Sequence, residues 1–497
     1  MGKGARSRAN NAEKKTEVMI REQAQKKKKR AERVVTILIV AVLVLGIVAM
    51  AAVNAYRNSG IEQRKQIVMS TENFDVNGSM MSYLIYNQYA NFVISYGDYV
   101  SYYGLNTSKD LKEQYTTDEN NKTITWYDYF AKGAQDNVTQ WLVLAEAAVE
   151  NNVALTEAEE DAIAYRAKAI AKNSFLGRGV KEQDVLECMK LSQLASKYQL
   201  TLRDGMTPTA QEINDYYAKN PQDAQLVDYY SYTFAYEVPE KDQTLAEEKV
   251  SLDEAQALVA TVKTAKTEAE FKQKLQDYLN SITAEGQTAK KAEDYKKTAA
   301  TYTSVDEEVA KWLFNKDTLV NDFKVVHDEK SHYLTVYMLT AAPYLNEKAT
   351  VSIRHLLIQA QDGSVTKEAA RKQAEKLYEQ WQKGDKTEES FAELAMKYTD
   401  DSNYGAGGIY TGVYEGQMVT TFNDWCFDKA RKAGDTGIVD TDYGSHIMYF
   451  VGSDLPVWQT TIRDLIIEDE YTEQYKKLEE AHKVLVDQDI INALEVQ

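Results

Sequence analysis

The octapeptide VSIRHLLI, Val351–Ile358, is a run of β-branched and leucine side chains broken only by a serine, an arginine and a histidine. Such a run reads as a strand. The strand, taken as 349–358, leads into a helical pattern over 367–383 that stops at Gly384, and then into a second one, SFAELAMKY (390–398). DDSNYGAGGIYTGVYEGQM (400–418) is rich in Gly, Asn and Asp, the residues that favour turns, and reads as a loop. A helix over 420–430 and a hairpin around Asp442-Tyr443-Gly444, ending in the strand SHIMYF (445–450), complete an α/β unit.

Two polar residues stand on its apolar strands, His355 in the first and His446 in the last. A lone histidine in such a place is more often a satisfied core residue than a functional one. Two on strands able to pair, with Asp400-Asp401 at a loop mouth, make a polar cluster worth testing. Residue chemistry by itself leaves core packing and function both open.

Four separated blocks then carry a likeness: SIRHLLI, FAELAMKYTDDSNYGAGG, YEGQMVTTF and GDTGIVDTDYGSHIM. In order and spacing they resemble the parvulin-type peptidyl-prolyl cis-trans isomerases. The resemblance implies a small antiparallel sheet wrapped by helices, with a shallow prolyl pocket. It places His355 and His446 as the paired histidines, Asp401 where such domains have Cys or Asp, and Thr441 as a hydroxyl in the histidine network. Met418 and Phe422 match the residues that hold the proline ring. Without the family likeness, their i, i+4 spacing would read as ordinary core packing. Tyr410 stands where Leu is usual and Tyr443 where Ser is common, so pocket width and substrate preference depart from the pattern. The segment QAQDGSV (359–365) offers no basic residue for a phosphorylated substrate.

The order strand, helices, strand occurs twice. YSYTFA (230–235), WLFNKDT (312–318) and SHYLTVY (331–337) precede the blocks just described in the same sequence, with Pro239, Pro343 and Pro456 as punctuation after β-like runs. This alignment sets Tyr232 against His355 and His332 against His446. The first copy lacks the GG and GQM blocks and is expected to be catalytically silent.

Residues 34–53, VVTILIVAVLVLGIVAMAAV, hold no charge, and at about 1.5 Å per residue they match the roughly 30 Å of a bilayer core. The 33 residues before them carry twelve Lys or Arg against four Glu, which predicts a cytoplasmic N-terminus. A cleaved signal peptide is the competing reading. The formal net charge of the whole chain is −18, so the part beyond the arm is strongly acidic and nucleic acid is an unfavourable partner. Cys188 and Cys426 form no disulfide framework, and the five histidines show no metal-ligand spacing, so no metal or cofactor is expected.

FDVNGSMMSYLIYNQY and TPTAQEINDYYAKNP, followed by rotamase repeats and a C-terminal helix, resemble the SurA- and PrsA-type extracytoplasmic foldases. That resemblance implies an α+β chain with a chaperone body whose partners are unfolded exported polypeptides containing X-Pro bonds. The expected organisation is a basic arm (1–33), a transmembrane helix (34–54), a helical chaperone-like domain (55–225), a degenerate parvulin-like domain (226–345) and a parvulin domain (346–455). A C-terminal helix (456–497) is expected to pack on the helical domain. The expected function is a membrane-anchored isomerase with chaperone activity; the alternative is a holdase that uses the parvulin-like domains as binding platforms.

Overall fold

The structure is a computed structural model that describes residues 40–56, 59–173, 175–238, 250–284, 286–360, 363 and 365–496. The basic arm, the first six residues of the expected membrane span, and Pro239 lie outside the described residues. Residues 40–56 are helical (α1), with Val42, Leu45 and Met50 all exposed. Among the described residues no helix is long and apolar enough to cross a membrane. Seventeen residues at about 1.5 Å each fall short of a bilayer core.

The chain divides into two compact units, one made of residues 1–154, 163–195 and 482–497, the other of 155–162 and 196–481. In chain order the first elements are α2 (Ile61–Lys65), β1 (Ile67–Ser70), β2 (Asp75–Asn77), α3 (Gly78–Tyr96), β3 (Tyr115–Thr117), β4 (Thr123–Thr125) and α4 (Trp126–Glu150). Then come α5 (Glu157–Asn173), α6 (Glu182–Asp204) and α7 (Ala210–Lys219). Local chemistry fixes their starts. The Asn77 side chain accepts from the amides of Ser79 and Met80. Thr125 with Asp128, and Thr209 with Glu212, form reciprocal capping boxes at α4 and α7. Thr156 does the same for α5 with Glu159, as its position before the helix predicts.

The second unit holds two four-stranded antiparallel sheets. The first comprises β5 (Leu226–Ala235), α8 (Leu252–Val262), α9 (Glu268–Ser281), β6 (Lys296–Ala300), α10 (Glu307–Leu313), β7 (Phe323–Asp328) and β8 (Tyr333–Tyr344). The second comprises β9 (Ala349–Gln359), α11 (Lys367–Gln382), α12 (Glu388–Tyr398), β10 (Ile409–Val413), α13 (Thr420–Cys426), β11 (Thr436–Asp440) and β12 (Gly444–Pro456). Their strand orders are β6-β5-β8-β7 and β10-β9-β12-β11, the same topology twice. The helices fall at matching places between strands.

β9 lies where the sequence places its first strand, and the structure buries it on both faces. Leu356, Ile358 and, from β12, Ile447 meet Trp381 and Phe391 of α11 and α12. Val351, Ile353, Met448 and Phe450 meet Phe422 and Val413 on the other side. The expected loop over 400–418 contains the edge strand β10, because the left-handed turn at Gly407 and Gly408 (φ 64° and 69°) lays 409–413 along β9. The helix expected over 420–430 ends at Cys426.

The chain end is not one helix. It forms α14 (Val457–Ala481), β13 (Leu485–Val486) and α15 (Gln488–Ala493). α14 buries Trp458 and Ile462 against Ile213 and Ala224, near α7. β13 pairs antiparallel with β1, and Asp487 caps the new helix through the Ile490 amide.

The first copy departs from the sequence alignment by one residue. Tyr232 lies on the α8/α9 side, 4.8 Å from the rings of both Phe234 and Tyr295, whereas His355 shares a face with Val351 and Ile353. Because strand side chains alternate, a one-residue offset moves a side chain to the opposite face. His332 does not lie on a strand; it sits in the turn before β8 with φ 59°. The face matching the His355 side is filled by Val227, Tyr229, Leu339, Val309 and Leu313.

Replacing Tyr232 by His should therefore create no second active site. It should leave prolyl isomerisation unchanged while lowering unfolding stability by about 2–4 kcal/mol, the range for large-to-small and polar changes in a core. A rise in isomerase rate would place Tyr232 on the pocket side instead.

Candidate functional site

The central pairing of the second sheet puts the two histidines together. β9 and β12 run antiparallel with His355 opposite Met448 and His446 opposite Leu357. The histidines are thus diagonal neighbours on one face, within reach of each other. Both are about 5% exposed, and their Nδ1 atoms are 3.2 Å apart.

The network extends at both ends. His446 Nε2 lies 2.9 Å from Thr441 Oγ1, and Thr441 Oγ1 also accepts the Tyr443 amide at 3.1 Å. On the far side His355 Nε2 lies 3.7 Å from Asp401 Oδ2. One assignment of protons fits the distances: Thr441 donates to His446 Nε2, His446 Nδ1–H donates to His355 Nδ1, and His355 Nε2–H faces the Asp401 carboxylate across 3.7 Å, longer than a hydrogen bond. Each imidazole is then neutral, and the chain of dipoles points toward Asp401.

Burial holds them neutral. It lowers the His355 pKa to about 4, against the opposing pull of Asp401. His446 is lowered to about 3 by burial and then by the neighbouring His355.

Asp401 is placed by its own loop. Thr399 Oγ1 accepts from the amides of Leu357 and Asp401, at 2.9 and 3.1 Å, and the Asp400 amide donates to the Leu357 carbonyl at 2.8 Å. This segment takes over the edge of β9 where β10 ends. Asp401 Oδ1 accepts from the Asn403 amide at 2.9 Å and from the Tyr410 hydroxyl at 3.1 Å. The Tyr410 ring lies 5.0 Å from His355, and burial followed by the Asp401 charge pushes its phenol up to about 12.

An apolar wall adjoins the polar chain. Phe422 presents its ring edge-on to both histidines, at 5.4 Å from His355 and 5.3 Å from His446. Met418 and Tyr410 pack into the same cluster. Tyr443 does not join them. Its ring is 45% exposed, and its carbonyl accepts from the Ala360 amide in the β11–β12 turn.

Residue-type reasoning overlooked three supports. Arg354 donates to Glu388 at 2.9 Å and to the carbonyls of Ala406 and Gly407 at 2.9 and 3.1 Å, tying the 402–408 turn to β9. Thr399 anchors the Asp401 loop from within. Gly408 lies so close to β9 that a Cβ there would sit 2.2 Å from the His355 carbonyl oxygen. Of these, only the paired glycines left a signal in the sequence, and only as a turn. Cys426 is buried, which pushes its thiol up to about 12 and leaves it a poor nucleophile. Among the described residues no group of His, Cys, Asp or Glu could hold a metal ion.

Residues 337–452 match the family model of the PPIC-type PPIASE domain. That range starts inside β8 and closes within β12. No curated protein matches the sequence. Among solved structures, TbPIN1 is 29% identical over 20% of this chain and 96% of its own, with a TM-score of 0.18. Peptidyl-prolyl isomerase ESS1 from Candida albicans is 19% identical, covering 27% of this chain and 96% of its own, TM-score 0.19. PrsA from Bacillus subtilis is 14% identical, covering 75% of this chain and 93% of its own, TM-score 0.23.

Two outcomes follow from the geometry. Gly408→Ala combines a left-handed φ with a backbone clash and should destabilise the second sheet by about 2 kcal/mol or more, measured by denaturant unfolding. The histidines set a pH dependence whose sign is opposite to that of a paired imidazole. Below the ordinary value of 6.5 the unfolded chain binds protons that the folded pair refuses until about 4 and about 3. Stability therefore falls as pH drops from 6.5 toward 4. Replacing His446 by Gln should reduce the slope in that window by about one proton, and an unchanged slope would contradict a buried neutral pair.

Proposed function

We propose, for a chain whose residues 337–452 are a parvulin-type peptidyl-prolyl cis-trans isomerase domain, that it acts as a membrane-anchored foldase on exported polypeptides. The observation that carries the isomerase part of this reading is the buried His355–His446 pair, with its Nδ1 atoms 3.2 Å apart, beside the apolar wall of Met418 and Phe422. Rotation about an X-Pro bond crosses about 18–20 kcal/mol because the twisted state loses amide resonance. A site that binds the twisted amide better than either planar isomer lowers that barrier without forming a bond.

Met418 and Phe422 supply the surface that takes the proline ring. His355, His446 and Thr441, oriented through Asp401, supply fixed dipoles beside an amide whose carbonyl and nitrogen become ketone-like and amine-like as it twists. Because these dipoles are held in place by the β9–β12 pairing, little reorganisation is needed when the amide twists.

The anchor is the apolar run 34–53. Its support is the charge-free sequence and the exposed apolar side chains of α1, whose burial in lipid would be favourable. The basic arm would then stay in the cytoplasm and the rest of the chain would face outward, where unfolded exported chains with X-Pro bonds are its partners. The holdase reading keeps one observation in its favour: the Tyr410 hydroxyl is already bonded to Asp401, within the pocket.

A proline-peptide isomerisation assay on the full chain separates the two. His355→Ala and Met418→Ala should each lower kcat/KM by about 10–100-fold, on the order of 1.4–2.7 kcal/mol of transition-state stabilisation. A wild-type rate equal to the uncatalysed one, with aggregation of an unfolded client still suppressed, would leave the holdase. Protease added outside intact cells should digest the chain beyond α1, and full protection would overturn the outward topology.

A further inference from the structure

In the first compact unit, α3, α4 and the β3–β4 hairpin enclose a cleft of about 780 Å3. Phe92, Tyr96, Ile124, Tyr129 and Phe130 form its apolar lining. The rings are coupled: Phe92 lies 4.6 Å from Tyr96 and 5.7 Å from Phe130. Tyr96 and Tyr129 remain 38% and 42% exposed, and Tyr99 and Tyr102, just beyond the end of α3, are 74% and 86% exposed. Aromatic surface left in water at this density marks a binding face more often than a chance feature.

Two further observations define the occupant. The cleft carries Asp118, Glu119 and Asp136 against the single ammonium of Lys132, which is already paired with Asp136 at 2.9 Å. The excess is anionic, so the lining disfavours an anionic lipid surface or a second copy of this acidic chain. Gly133, two turns into α4, also lines the cleft. A helical glycine costs roughly 1 kcal/mol relative to alanine. A Cβ at this one would meet only the Gln88 side chain, at an ordinary 3.5 Å. Neither strain nor crowding calls for glycine here, and its missing side chain leaves the cleft open beside Gln88.

We propose that this cleft is a second client site, taking an extended peptide in which an aromatic residue lies next to Lys or Arg, with no proline required. The aromatic side chain would enter among Phe92, Tyr96 and Phe130. The cation would meet the Glu119 carboxylate and the Tyr129 face, a pairing of charge and ring quadrupole. The proposal rests on the client-binding reading above but uses residues separate from the His355–His446 site.

The test uses the full chain and two labelled, unstructured, proline-free peptides of equal aromatic content, one with lysines flanking the aromatics and one with glutamates, followed by fluorescence anisotropy. The lysine peptide should bind at least about tenfold more tightly than the glutamate peptide, with an advantage that shrinks as salt rises. Gly133→Leu, which fills the cleft, should weaken it about tenfold while leaving the prolyl isomerisation rate unchanged. Glu119→Lys, an exposed change that should not disturb folding, should remove most of the preference between the two peptides. If wild type binds the lysine peptide but both variants bind it equally well, this cleft is not the site. If wild type binds neither peptide, the cleft proposal fails, while the client-binding reading stands or falls on the isomerisation and aggregation assays above. A change in sedimentation on Gly133→Leu without peptide binding would make the face a self-association surface and overturn the proposal.

Discussion

The antiparallel pairing of β9 with β12 is the constraint on which the candidate site rests. Its register sets His355 opposite Met448 and His446 opposite Leu357, which puts both imidazoles on one face and their Nδ1 atoms in contact. Everything else in the site is arranged around that pair. The Thr399–Asp401 segment closes the β9 edge and brings up a carboxylate, the β11–β12 turn brings up Thr441, and α13 lays Phe422 across both rings. A slip of one residue in this pairing would put the two histidines on opposite faces of the sheet, one of them in the core under α11 and α12. The cost of burying an unpartnered polar group there makes such a slip unfavourable, so the network both depends on the register and helps to specify it.

The other sheet shows what the same topology does without that pair. β5 and β8 pair as β9 and β12 do, and the helices fall in corresponding positions. On the face where the second copy keeps its polar chain, the first places valine, leucine and tyrosine, and α10 packs down on them. An apolar fill is the simpler solution to covering a sheet. The buried imidazoles of the second copy must each find a partner, and they find one in each other and in Thr441.

Much of this was legible in the residues. The apolar run at Val351–Ile358 reads as a strand, Thr156 and Thr209 read as helix starts, and the blocks around GAGG and GQM carry the family likeness. His355, Asp401, His446, Thr441, Met418, Phe422 and Tyr410 do converge. Other features left weak signals. Arg354 reads as a surface cation interrupting a strand, yet its guanidinium ties down the turn that lets Gly408 approach β9. Thr399 reads as the end of a helix, yet its hydroxyl holds two amides. Tyr443 has a place in the sequence pattern, but it stays 45% exposed and outside the apolar cluster. Tyr232 was set against His355 by counting, and counting cannot see the bulges that shift strand registers.

Periodicity, local capping and composition were enough for most element types, the repeated order of strands and helices and the acidic balance, whereas the pairing of His355 with His446 came from the family likeness alone. Tertiary structure alone decided the distance between His355 and His446, the neutrality that burial imposes on them, the bond from Tyr410 to Asp401 and the face to which Tyr232 turns. Those depend on register and on which side of a sheet is covered, and both are settled by contacts between residues far apart in the chain, where local preference carries no information.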